Sequence, residues 1–117
     1  MQGNENWRIR FDAEIRQAEN ARTAGKEGMA RVCARRAAGI VIGEYLEQNH
    51  KSGAGPSAYD RLRYLYALPG ISPEVKKTIQ HFLVRITPEH TLPVEADLVV
   101  EAAWLAEVLL GEPRHDP

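Results

Sequence analysis

Arg31, Arg35 and Arg36 fall in a stretch from Met29 to Gly43 that contains no acidic residue. Residues four apart share a helix face, so Arg31 and Arg35 can together grip a phosphate through charge-assisted hydrogen bonds. The competing use for these cations is pairing with acids of another segment, for which Glu95, Asp97 and Glu101 are candidates. Tyr59, Tyr64, Tyr66 and His81 carry rings able to stack on a base, but tyrosines at helical spacing usually lie half-buried with the hydroxyl at the surface. One cysteine and four histidines offer no metal-ligand pair at useful spacing beyond the adjacent Glu89 and His90. No metal or cofactor is therefore expected, and no local signature of a serine or cysteine nucleophile occurs.

The elements that must position these residues follow from apolar spacing. Trp7, Phe11, Ile15 and Ala18 recur every three or four residues, so a first helix buries that stripe and leaves Arg8, Asp12, Arg16 and Glu19 in solvent, until Gly25 caps it. Cations and acids alternate along this exposed side at i,i+4 distances, as on a solvated face. From Met29 to Leu46 small or apolar residues occur on more than one side: Met29, Val32, Cys33, Ala37 and Ile40 on one, Ala30, Ala34, Val41 and Tyr45 on another. That pattern predicts a central helix touching several neighbours. Gly39 and Gly43, each costing about 1 kcal/mol against alanine within a helix, predict close backbone approach.

Ser52, Gly53, Gly55 and Pro56 mark a loop over 49–56. Ser57 with Asp60 three residues later has the form of a capping box, opening a short third helix to about Leu68 with Leu62, Leu65 and Tyr66 inward. Pro69 and Gly70 stop it. Ser72, Pro73 and Glu74 supply N-cap, first-turn proline and dipole-compensating acid for a fourth helix, which buries Val75, Ile79, Phe82, Leu83 and Ile86. Pro88 and Pro93 interrupt the pattern, Pro93 being the expected opening of a last helix that carries Ala96, Leu98, Val99, Ala102, Leu105, Ala106 and Leu109 and closes at Gly111 and Pro113. No segment alternates as a strand does. The prediction is an all-α chain: helices 1, 2, 4 and 5 form an up-and-down four-helix bundle, and helix 3 is an additional short member.

Length and composition set the outer bounds. The 117 residues fit one domain, 1–117, with one core. A hydrophobic share of 44%, a charged share of 26% and a net charge of -1 argue against disorder and against a strong overall pull toward nucleic acid. Met1–Arg10 contains no apolar leader core, and no apolar run approaches the roughly 20 residues that span a bilayer. Cys33, alone and in an apolar stretch, reads as a small buried hydrophobe and fits a reducing compartment. A cytoplasmic protein without membrane attachment is expected.

The order of features resembles the HEPN family, small helical-bundle proteins of bacteria and archaea. The resemblance runs over nearly the whole chain: a tryptophan-led first helix of the form W-x3-F-x3-I-x2-A, then A-G-K-E-G-M-A leading into A-R-R-A-A-G-I, and I-T-P-E-H-T-L-P-V-E-A-D-L before an alanine-rich last helix. The family's second helix often carries a Glu-Lys pair after its alanine core, where Gly39 and Ile40 stand here. The resemblance implies a homodimer, also suggested by the apolar residues on more than one side of the second helix, and two kinds of activity. Some members are metal-independent ribonucleases of the toxin type, built on an R-x(4-6)-H motif that Arg85 and His90 match in R-I-T-P-E-H. There the histidine would take the 2'-hydroxyl proton and the arginine would stabilise the developing phosphorane charge. With 11 arginines and 4 histidines in the chain, about one such match arises by chance, and Pro88 and Ile86 lie between the pair. Other members are non-catalytic, binding nucleotides or RNA or partnering a minimal nucleotidyltransferase. A non-catalytic binding module is the expected function, with Arg31 and Arg35 at its site. The ribonuclease is the alternative, as is a purely structural dimer whose apolar surface receives a partner.

Overall fold

The computed structural model describes residues 6–84 and 97–111. They form five α-helices: α1 (Asn6–Thr23), α2 (Glu27–Gln48), α3 (Ala58–Ala67), α4 (Pro73–Leu83) and α5 (Leu98–Leu110). Among the described residues every regular element is a helix. Arg85 and His90, together with Ile86, Pro88, Glu89, Pro93, Glu95, Ala96 and Pro113, lie outside them.

Local chemistry sets each boundary. Gly25, at φ +79°, lets the chain leave α1, and the Lys26 N–H reaches back to the Ala21 carbonyl at 2.7 Å. His50 plays the same part after α2 at φ +58°, with the Lys51 N–H on the Leu46 carbonyl at 2.8 Å. The Ser57 hydroxyl accepts the Asp60 N–H at 3.0 Å at the start of α3, and Ser72 accepts the Val75 N–H at 3.2 Å before Pro73 opens α4. The last helix differs from expectation at its beginning. Asp97, not Pro93, is the N-cap: its Oδ1 accepts the N–H groups of Val99 and Val100 at 3.1 and 3.3 Å, so α5 starts at Leu98. Gly111 closes it in the left-handed region, at φ +70°.

Helix α2 runs through the middle of the molecule, with α1, α3 and α5 packed on it and α4 held against α3 and α5. Ala30, Ala34, Ala37, Ala38, Val41 and Ile42 of α2 are all fully buried. Around them a single core gathers Trp7 and Phe11 from α1, Leu62 and Leu65 from α3, Ile79 and Phe82 from α4, and Leu98 and Leu105 from α5. Trp7 and Phe11 meet edge to face, ring centroids 6.1 Å apart. Met29, placed inward by its spacing, is instead exposed, because the first turn of α2 extends past the neighbours that cover Ala30 and Cys33.

Both glycines of α2 sit where another element presses on the helix. A Cβ at Gly39 would stand 2.6 Å from the Ala58 Cβ and 2.8 Å from its Cα, so the first turn of α3 rests on the α2 backbone. A Cβ at Gly43 would meet the Arg61 guanidinium at 2.5 Å.

Gly39→Ala is expected to destabilise the protein by about 1 to 3 kcal/mol, since Ala58 belongs to a backbone that cannot swing aside and the gain in helix propensity is only about 1 kcal/mol. Gly28, with open space where its Cβ would be, is the control. Thermal melts should show a lowered midpoint for the first variant and an unchanged or raised one for Gly28→Ala.

Candidate functional site

Arg31 and Arg35 lie one turn apart on α2, but they are put to different uses. Arg35 donates from Nε to the Phe82 carbonyl at 3.4 Å, placing its charge on the negative end of α4. Arg31 is half-buried, with its Nε enclosed and without a hydrogen-bond partner. Neither residue lines the cleft beside His81 or the one at the end of α2 described below. Of the acids offered as their partners, Glu95 lies outside the described residues, and Asp97 and Glu101 are engaged elsewhere. Asp97 receives Arg22 at 3.3 Å, and Arg22 also reaches Glu27 at 3.1 Å, joining the end of α1 to the starts of α2 and α5. Glu101 faces His81.

The His81–Glu101 pair links α4 to α5. His81 Nδ1 lies 2.9 and 3.0 Å from the two Glu101 oxygens, so a proton on Nδ1 is donated to the carboxylate and Nε2 is left available. Both side chains are largely screened from solvent. A carboxylate that orients an imidazole in this way is half of a general acid–base arrangement. Here it borders a shallow cleft lined by Lys77, Gln80, Leu83 and Val84. Sequence gave no cue for it, because the partners stand 20 residues apart on different helices. The sequence marks His81 only as a ring able to stack on a base.

A second cleft, of about 390 Å³, opens between α1, the end of α2, the following loop and α3. Arg10, Lys51 and Arg61 supply its cations, Glu44 and Glu47 its acids. Arg61 is fixed from two sides, with Nε on the Gly55 carbonyl at 3.2 Å and Nη1 on the Gly39 carbonyl at 3.1 Å. The loop is further held by the Tyr64 hydroxyl, which donates to the Ser52 carbonyl at 3.1 Å. Among the described residues no group of three or more His, Cys, Asp or Glu side chains is gathered to hold a metal ion.

No family model, curated protein or solved structure matches the chain. What the molecule offers chemically must therefore come from its own geometry.

The tyrosines and the cysteine have structural surroundings. Tyr66 accepts the Gln80 side-chain amide at 2.8 Å and carries Lys76 over its ring, while Tyr59 stacks under Arg63 at the surface. Cys33 is buried between α1 and α2, its thiol 3.7 Å from the Gln17 Oε1. Burial pushes the thiol pKa up, the neighbouring Glu14 carboxylate pushes the same way, and Arg36 opposes them. No helix of the described residues is long and apolar enough to cross a membrane.

Because thiolate forms more readily in the unfolded chain than in the folded one, Cys33 adds stability below its unfolded pKa of about 8.5 and loses it as the pH rises further. Native protein at about pH 8 should leave the thiol unreacted toward a disulfide reagent that labels the denatured chain completely. Prompt labelling of the native state would contradict its burial.

Proposed function

We propose that the chain is a non-catalytic, HEPN-like binding module that works as a homodimer, with the outward face of α5 as its interface. In this reading α1, α2, α4 and α5 make an up-and-down bundle, α3 is the short addition, and the module operates in the cytoplasm. The observation that carries the proposal is the character of α5. Eleven of its residues are apolar and only Glu101 and Glu107 are charged. Leu98, Ala102 and Leu105 are spent on the core, yet Val100 and Val108 remain 61% and 47% exposed on the other side. Ala103 is exposed between them and Trp104 half-buried.

At 3.6 residues per turn, residues 100, 103, 104 and 107 stack on one face with 108 at its edge. Glu107 stands within this face, but Val100, Ala103, Trp104 and Val108 around it are apolar. A helix on the surface of a monomer normally carries mostly polar residues there, and an apolar patch of this kind supports an interaction surface. A two-fold axis lets one such stripe cover its own copy, the most economical way to bury it. A partner protein, such as the minimal nucleotidyltransferase implied by the resemblance, would then meet a dimer. Arg35 is occupied by the end of α4, so the α5 face, in preference to the Arg31–Arg35 pair, is the proposed recognition surface.

Light scattering on the purified chain should give twice its 13.1 kDa mass. The double variant Val100→Glu/Val108→Glu alters only exposed positions and should give the monomer with unchanged helicity. A wild type that stays monomeric at high concentration would overturn the dimer, and a double variant that still dimerises would move the interface off α5.

A further inference from the structure

The cleft beside the 49–56 loop has charges of both signs and leaves most of them uncommitted. Among the described residues the side chains of Arg10, Lys51 and Glu47 form no ion pair or hydrogen bond. Glu44 is 8% exposed and receives one hydrogen bond, from the Gln48 side-chain amide at 3.1 Å. Arg61, which also lines the cleft, commits Nε and Nη1 to backbone carbonyls and has no hydrogen-bond partner at Nη2 among the described residues. The N–H groups of Gly53, Ala54 and Gly55 donate to no carbonyl among the described residues, and both glycines take positive φ, at +94° and +93°.

We propose that this cleft binds a small phosphomonoester that also carries hydroxyl or amino donors. Its phosphate would lie toward Arg10, Lys51, Arg61 and the loop amides, and its donors toward Glu44 and Glu47. Charge decides between anions. A carboxylate is matched by a single cation, whereas a phosphomonoester carries about 1.5 to 2 negative charges at neutral pH and suits three cations and several N–H donors. The two acids disfavour a ligand that is anionic throughout and reward one with donors at its other end. The volume of about 390 Å³ is in the range of small-molecule sites. Arg61 gives the site its rigidity: its guanidinium is held against the bare backbone of Gly43, so the cation nearest the helix is already placed before a ligand arrives.

Nucleotides and sugar phosphates share this chemistry, and titration of the isotope-labelled full chain with AMP and with ribose 5-phosphate, followed by NMR, addresses both. Inorganic phosphate, adenosine and ribose serve as comparisons. Saturable shifts of the Gly53 and Gly55 amides and of the Arg61 Nε–H are expected with both esters, more weakly with inorganic phosphate, and not with the unphosphorylated compounds. Tighter binding of AMP than of ribose 5-phosphate would assign the source as a nucleotide, and the reverse order a sugar phosphate. Arg10→Glu/Lys51→Glu, at two exposed positions, should weaken both esters by tenfold or more while the spectrum stays dispersed. Glu47→Gln should weaken the esters and leave inorganic phosphate unchanged. Absence of saturable shifts at these groups in the millimolar range would overturn the proposal. So would equal affinity for inorganic phosphate and the esters, shifts with adenosine as large as with AMP, or ester binding indifferent to the charge reversal.

Discussion

Everything in this fold is arranged around how little side chain α2 carries. A helix that must be approached on several sides at once cannot present large residues on all of them, because interiors pack at the density of organic crystals and leave no slack. Ala30, Ala34, Ala37, Ala38 and Gly39 meet this demand by keeping the α2 surface thin. The larger residues come from outside: Trp7 and Phe11, Leu62 and Leu65, and Leu105 lean in over the alanines. Helix α2 thus acts as a narrow axle, and the burial that stabilises the domain comes chiefly from the helices around it.

The sequence made this scaffold legible wherever the determinant was local. Ser57 and Ser72 cap the helices they precede, the glycines at 39 and 43 announce close contacts that occur, and the two-sided pattern of α2 foretells its central place. The start of α5 differs from the sequence pattern because Pro93 is a strong local sign, while Asp97, directly before the apolar run, is equally able to cap. Met29 failed because periodicity says which side of a helix a residue takes, not whether a neighbour extends far enough to cover it. The sites were less legible. Arg31 and Arg35 share a helix face as their spacing requires, but whether a guanidinium meets a phosphate or a carbonyl depends on what arrives from 47 residues away, as Phe82 does for Arg35. The His81–Glu101 pair and the cleft at the end of α2 assemble residues from separate helices, and no short window of sequence contains either.

Two groups of cations differ in what they face. Arg22, Arg35 and Arg61 are spent on the framework, each closing a helix end or a loop by meeting a carboxylate or a backbone carbonyl. Such contacts fix geometry more than they add stability, since exposed ion pairs contribute only about 0 to 1 kcal/mol. Arg10 and Lys51 hold nothing in place among the described residues. With the exposed valines of α5, they are parts of the surface that folding does not explain.

The contact between Arg61 and Gly43 also ties the two positions together in descent. A side chain at 43 would occupy the space of the guanidinium, and a shorter residue at 61 would release the carbonyls of Gly39 and Gly55 together. Neither position can drift alone without loosening the loop. Lineages that keep the arginine should therefore keep the glycine, and those that fill position 43 should lose the arginine together with the loop conformation it holds.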